Sequence, residues 1–250
     1  MKEFDLSSKV AVITGASRGI GLAVAKKMAE CGARCILVSR RPENLETAAR
    51  EILDAGHKAE AMACHTGYPD QIKALYESIM EKYGRLDILV NNAATNPHFG
   101  EMITADEGIW DKTLDVNIKG PFFMVKYAVP LMENGGAIVN VSSINAVRPG
   151  LFQGVYSATK AALVNMTKTL ARELAPKGIR VNALLPGLTD TKFASAIIGS
   201  EEICQHALAQ IPMGRYAQPS EMAGTVLYLV SDAASYTTGA CIISDGGMLI

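Results

Sequence analysis

The run from Val10 to Cys31 constrains the fold of this chain more than any other. Val10 to Thr14 is a short β-branched stretch that reads as a buried strand. It ends in Thr14-Gly15-Ala16-Ser17-Arg18-Gly19-Ile20-Gly21, after which Leu22 to Cys31 places apolar residues at helical spacing. Strand, glycine-rich turn and helix, in that order, is the setting in which a turn binds phosphate. Glycines let the backbone turn tightly and approach a pyrophosphate. The start of the following helix offers free N–H groups and the positive end of its dipole.

The rest of the chain repeats the strand–helix alternation. Strands are predicted at Ala33 to Val38, Lys58 to Cys64, Leu86 to Val90, Ala137 to Val141, Gly178 to Leu184 and Ala240 to Ser244. Helices are predicted at Pro42 to Ala55, Pro69 to Tyr83, Glu107 to Asn117, Pro121 to Met132, 151 to 173 and Pro219 to Val230, with Gly56 and Gly84 as stops. This pattern predicts an α/β fold: one doubly wound Rossmann-type domain over residues 1–250, its parallel seven-stranded sheet covered by helices on both faces. The 250 residues, 49% hydrophobic, suffice for one sizeable core. Helical patches at Thr191 to Ile198 and Glu201 to Ala209 interrupt a long mixed stretch, and residues 192–215 are expected to form a lid over the binding crevice.

Composition excludes several classes. A formal net charge of −1, spread along the chain, gives no footprint for nucleic acid or a membrane surface. The N-terminus has no apolar stretch before a cleavage site, and no run approaches the roughly 20 apolar residues of a membrane span. Cys31, Cys35, Cys64, Cys204 and Cys241 show no metal-like spacing, which fits buried thiols in a reducing compartment; the expected location is the cytoplasm and no metal is expected.

Two further features carry chemistry. The second strand ends at Ser39-Arg40-Arg41, where an acidic residue would accept hydrogen bonds from the ribose 2′-OH of NAD. Arginine gives a 2′-phosphate bidentate charge-assisted bonds, so Ser39 and Arg40, with Arg18 in the preceding turn, favour NADP; Arg41, before Pro42, reads as a solvated first-turn residue. Tyr156 and Lys160 lie four apart and share a helix face. A neighbouring ammonium favours phenolate and is expected to lower the Tyr156 pKa, which suits proton transfer near neutral pH. Such a pair also occurs on solvated helices, so its weight comes from its surroundings. Ser143 ends the fifth strand and brings a hydroxyl towards it. Asn117 interrupts a helical pattern, where asparagine is a poor helix former; it is expected to bend the helix and offer its amide or a freed carbonyl.

With TGASRGIG, NNAA, Asn117, Ser143, YSATK and PGLTDT in this order, residues 8 to 247 resemble the short-chain dehydrogenase/reductase family, and CHTG, NPHFG and WDKTLDVNIKG look like its NADP-dependent carbonyl and retinol reductases. The resemblance implies that Asn117, Ser143, Tyr156 and Lys160 are the catalytic four. It implies cofactor contacts from Gly15, Ser17, Arg18, Gly19, Ile20, Gly21, Ser39, Arg40, Asn91, Ala93, Tyr156, Lys160, Pro186, Leu188 and Thr191. His65 stands where many members have an aspartate against the adenine, so no side-chain role is carried over to it.

The implied reaction moves a hydride between NADP(H) and a small-molecule carbonyl or alcohol. Tyr156 acts as acid/base, Ser143 as oxyanion donor, Lys160 on the phenol and the nicotinamide ribose, and Asn117 in a proton relay. Asn96 to Phe99, Asn145, Val147, Leu151, Phe152, Phe193 and Ile197 are candidate apolar walls for a ketone or aldehyde. The alternatives are reduction of a 3-oxoacyl thioester on an acyl carrier protein and, in another class, a non-catalytic NADP-binding sensor or scaffold. The resemblance also implies a homo-oligomer, a tetramer, to which the apolar rows Leu163, Met166, Leu170 and Met222, Val226, Leu229 contribute unless they belong to the chain's own core.

Overall fold

The computed structural model describes residues 2–250. Seven parallel strands form one sheet in the order β3-β2-β1-β4-β5-β6-β7. They are β1 (Val10–Thr14), β2 (Arg34–Ser39), β3 (Lys58–Ala63), β4 (Ile88–Asn91), β5 (Gly136–Val141), β6 (Ile179–Pro186) and β7 (Cys241–Ser244). Strand order reverses direction between β1 and β4, so the carboxyl ends of these two strands flank the crevice where ligands of such sheets bind.

The helices are α1 (Gly19–Glu30), α2 (Pro42–Asp54), α3 (Pro69–Tyr83), α4 (Glu107–Leu114), α5 (Gly120–Ala128), α6 (Gly154–Leu174), α7 (Ser195–Ile198), α8 (Glu201–Leu208) and α9 (Pro219–Val230). Successive side chains of a strand face opposite sides of the sheet, and both sides are covered. On one, Ala11, Ile13, Leu37, Val90 and Val139 pack with Val24 and Met28 of α1, Leu45 and Ile52 of α2, and Val226 of α9. On the other, Val12, Ile36, Leu89, Ile138 and Val181 pack with Ile72 and Ile79 of α3, Met124 of α5 and Ala171 of α6. Each valine, leucine, isoleucine or methionine so buried contributes about 1.5–3 kcal/mol relative to exposure.

The boundaries differ from expectation where local chemistry intervenes. Helix α1 begins at Gly19 rather than Leu22 because the glycine turn itself winds into it. β4 starts at Ile88 because buried Asp87 accepts from Val10 N–H at 2.8 Å and pairs with Lys9 and Arg85, pinning β1 to β4 by a side chain. β6 continues past Leu184 to Pro186 because β7 pairs Leu185 with Ile243 and Pro186 with Ser244. Pro130 ends α5 in a 3₁₀ turn over Val129–Leu131.

Around Asn117, where a bend is expected, the helical path changes pitch without breaking. After α4, residues Asp115–Lys119 form a π turn, in which Gly120 N–H reaches back five residues to Asp115 C=O. The sequence imposes it: Pro121 lacks the N–H that would bond to Asn117 C=O in an α-helix. The stretch 192–215, expected as a lid and so labelled below, holds a 3₁₀ turn (Lys192–Ala194), α7 and α8.

Its base is closed by the Thr189–Ala217 bridge and by Arg215, which grips Glu221 at 2.7 and 2.8 Å while Glu221 caps α9.

Candidate active site

At the carboxyl end of β1, Thr14 ties the crevice together. Its hydroxyl donates to Val90 C=O at 3.3 Å and accepts from the N–H groups of Asn92 (2.9 Å) and Ala93 (3.0 Å). Asn92 closes the other side: its Nδ2 donates to Thr14 C=O at 2.9 Å and Gly15 C=O at 3.3 Å. Gly15 sits at φ +65°, a left-handed conformation natural to glycine. At Gly21 the reason is space: a Cβ there would lie 2.5 Å from both Asn92 Nδ2 and Gly15 C=O.

The start of α1 is open to an anion. Arg18, the N-cap residue, gives no side-chain cap, and no acid occupies the first turn. The leading N–H groups of the helix are therefore unclaimed by side chains and the dipole end is not neutralised, a donor set that fits a pyrophosphate. Ser17 Oγ reaches Ser39 Oγ at 3.4 Å, which carries the turn over to the end of β2. Arg18 and Arg40 are exposed there and make no ion pair among the described residues. Thr191, at the start of the lid, faces the turn: its methyl lies 3.2 Å from where a Cβ on Gly19 would stand. Pro186 ends β6, and Leu188 binds the lid base by accepting from Ala217 N–H at 2.9 Å.

Two strands across, β5 and α6 bring Ser143, Tyr156 and Lys160 together. Lys160 is 2% exposed; its Nζ donates to Val141 C=O at 2.8 Å and stands 5.5 Å from the centroid of the Tyr156 ring. Ser142 Oγ donates to Lys160 C=O at 2.9 Å and fixes that helical turn to β5. Ser143 Oγ accepts from Asn145 N–H at 3.1 Å, so its proton is free to point at a ligand or at Tyr156.

The charge expectation for the pair is corrected. Burial, the largest cause, pushes the Tyr156 phenol well above its ordinary value, and the Ser143 hydrogen bond works against it. Burial also pulls the Lys160 ammonium down to about 7. Sequence spacing put a full charge beside the phenol; the fold desolvates both groups, and desolvation disfavours both charged forms.

Asn117, 1% exposed, is anchored rather than free. Its Oδ1 accepts from Thr95 N–H at 2.8 Å, and its Nδ2 donates to Thr95 C=O at 2.9 Å and to Thr159 Oγ1 at 3.0 Å. The amide mimics a peptide of a neighbouring strand and pairs with the loop after β4. Of the two groups expected from Asn117, the amide is therefore used up.

Asn91 ends β4. Its side chain turns into the sheet, donating to Asn140 Oδ1 at 2.9 Å, and only 3% of the residue is exposed. The contact with the glycine turn comes from Asn92, which was given no role of its own; its position beside Asn91 in NNAA was the available signal. Thr14 and Thr159 stand inside TGASRGIG and YSATK but were likewise given no role, because their partners lie far along the chain.

The mouth of the site is apolar. Phe193 of the lid packs on Tyr156 with ring centroids 5.3 Å apart, and Phe99 meets Phe152 edge-on at 6.0 Å. Val147 and Leu151 are exposed on the same loop, and Asn145 Nδ2 donates to Gln153 Oε1 at 3.2 Å. Arg148 Nη2 ties this loop to the 192–215 stretch by donating to Gln210 Oε1 at 3.2 Å. At the end of β3, His65 Nδ1 accepts from Gly67 N–H at 3.0 Å, while burial and the charge of Arg40 pull its pKa down.

Known proteins share this fold. A family model described as enoyl-(acyl carrier protein) reductase matches residues 15–249. Human dehydrogenase/reductase SDR family member 4 is 40% identical over 244 residues, 97% of this chain and 88% of that protein. A 3-oxoacyl-[acyl-carrier-protein] reductase of Thermotoga maritima is 39% identical over 98% of this chain and 99% of its own. Among solved structures, a putative NAD(P) dependent gluconate 5-dehydrogenase from Beutenbergia cavernae with bound NADP superposes with a TM-score of 0.94 at 34% identity, covering 99% of each chain.

Proposed function

The chain belongs to the short-chain dehydrogenase/reductase family, a family of hydride-transferring oxidoreductases, and from that premise we propose that it reduces lipophilic ketones or aldehydes with NADPH. The observation that carries this reading is the convergence of Tyr156, Ser143 and Lys160 at the carboxyl ends of the strands, on the edge of the sheet that bears the glycine turn.

NADP is favoured over NAD by the absence of an acid at Ser39-Arg40 and by the unpaired guanidinium groups of Arg18 and Arg40. The Beutenbergia cavernae neighbour, and a gluconate 5-dehydrogenase from Burkholderia cenocepacia, were crystallised with NADP. The α1 N-terminus would hold the pyrophosphate, Arg18, Ser39 and Arg40 the 2′-phosphate, and Pro186, Leu188 and Thr191 the carboxamide end. The bound cofactor supplies the hydride.

The protein's part is orientation and proton transfer. Charge develops on the substrate oxygen, and Tyr156 donates its phenolic proton there. Burial keeps that phenol protonated at neutral pH, the state a donor needs. Ser143 donates a second hydrogen bond to the same oxygen, its acceptor side already taken by Asn145 N–H. Lys160 carries protons behind the phenol and holds the nicotinamide ribose, and the main-chain carbonyl of Asn117 continues that path. Residues 192–215 close over the substrate, with Phe193 against Tyr156.

The apolar mouth favours a lipophilic carbonyl compound. The Thermotoga relative supports a second reading, reduction of a 3-oxoacyl thioester. Assaying acetoacetyl thioesters beside simple diketones separates the two. Tyr156→Phe tests the whole scheme: turnover is expected to fall about 10²–10⁴-fold, and a variant with near wild-type turnover sinks it.

We further read the protein as a cytoplasmic homotetramer. All five cysteines are free thiols. Leu163, Met222, Val226 and Leu229 are buried within the chain itself and leave the assembly argument. Support comes instead from Tyr236 and Ile250, fully exposed, and Ile243 on the outer strand β7, 46% exposed.

A further inference from the structure

We propose that Thr159 is a positioning residue for Tyr156: its hydroxyl locks the proton donor's helical turn to the Asn117 anchor. The inference rests on the reading of Tyr156 as the proton donor.

Two hydrogen bonds meet at one oxygen. Thr159 Oγ1 donates to Tyr156 C=O at 2.7 Å and accepts from Asn117 Nδ2 at 3.0 Å. Asn117 in turn holds both backbone groups of Thr95, in the loop that follows β4 and Ala93. A continuous bonded path thus runs from the strand end beside the glycine turn, through Thr95, Asn117 and Thr159, to the main chain of Tyr156. Its side-chain links are dry: Asn117 and Thr159 are each 1% exposed.

The hydroxyl is matched to the job. A threonine in a helix donates to a carbonyl of the preceding turn, leaving its lone pairs for an incoming donor. Here the acceptor it chooses belongs to Tyr156, three residues back. The other side of the same turn is fixed independently by Ser142 on Lys160 C=O. The carbonyls of both Tyr156 and Lys160 are therefore held by hydroxyls, one from within the helix and one from the residue that follows β5. Valine fills nearly the same space but can neither donate nor accept, so it would leave the Asn117 amide with a lost partner in a sealed site. The expected consequence is a small swing of the Tyr156 turn, and positional errors below an ångström at a proton donor cost rate rather than binding.

The test compares Thr159→Val and Thr159→Ser with wild type and Tyr156→Phe. Four quantities are read: kcat and KM for a simple diketone, NADPH affinity by fluorescence, the pH profile of kcat, and thermal stability. For Thr159→Val, kcat is expected to fall about tenfold or more with KM and NADPH affinity little changed, and the acid–base pKa in the profile to move. Thr159→Ser, which keeps the hydroxyl, is expected to restore both kcat and the profile. A merely structural role would lower the melting temperature without moving the pH profile. Wild-type kcat and profile in Thr159→Val overturn the inference, and so does an equal loss in Thr159→Ser. Should the valine variant not fold, Thr159→Cys takes its place, and a cysteine variant as active as serine overturns it. Near wild-type turnover in Tyr156→Phe would instead remove the reading of the site on which the inference stands.

Discussion

Lys160 Nζ donates to the main-chain carbonyl of Val141 at 2.8 Å, so the one lysine of the site is held from β5 as well as by its own helix. It stands among the largest fully buried side chains of the protein. That placement explains why it loses its proton so easily and fixes the sign of a pH effect.

In the folded chain Lys160 titrates at about 7, whereas unfolded it stays charged to about 10.4. Between these values the unfolded state binds more protons, so stability rises with pH. Relative to Lys160→Met, the cofactor-free wild type is expected to gain about 2 kcal/mol from pH 7 to pH 9. Urea unfolding of both proteins at each pH measures it. A constant difference between them would show that the lysine is not desolvated as described.

Arg40 is expected to set cofactor choice. A charge-assisted bond to the 2′-phosphate is worth about 1.5–3 kcal/mol, roughly a tenfold to hundredfold preference for NADPH in kcat/KM. Arg40→Asp is expected to abolish or invert it, in kinetics and in equilibrium binding alike. A wild-type preference for NADH would overturn the reading of Ser39 and Arg40.

Phe152 carries backbone strain at the mouth of the site. It lies at φ +61°, in the left-handed region, while its carbonyl accepts from Gly100 N–H at 3.0 Å. A non-glycine residue there costs about 1–2 kcal/mol. Phe152→Ala loses the ring and keeps the strain; Phe152→Gly loses both. The glycine variant is therefore expected to equal or exceed the alanine variant in unfolding free energy, the reverse of the usual order. Both should raise KM for substrates with a bulky apolar group. Alanine more stable than glycine by about 1 kcal/mol would rule the strain out.

Much of this molecule was legible from residue order. Apolar runs of strand length, separated by helical periods and broken at Gly56 and Gly84, dictate a parallel sheet, because a parallel connection needs a crossover and the crossovers are amphipathic helices. The glycine turn declared itself because Gly15 and Gly21 are demanded by backbone conformation and close approach, and no other residue meets both. Even the change of helical pitch at Asn117 was written locally, since Pro121 withholds one specific N–H.

What the order of residues did not fix is environment, because environment is made by neighbours distant in the chain. Tyr156 and Lys160 are four apart in any helix; that they are sealed from water and shifted towards their neutral forms follows from β5, Phe193 and the sheet beneath them. Asn91 and Asn92 are adjacent and chemically identical, yet strand pleating sends one into the core towards Asn140 and the other onto the glycine turn. Thr159 is an ordinary helical residue until Asn117, 42 positions earlier, folds against it. Sequence alone determined the scaffold and nominated the reactive groups, because periodicity and backbone restriction are local. Tertiary structure decided their charge, partners and aim, because desolvation and hydrogen bonding depend on what the fold brings alongside.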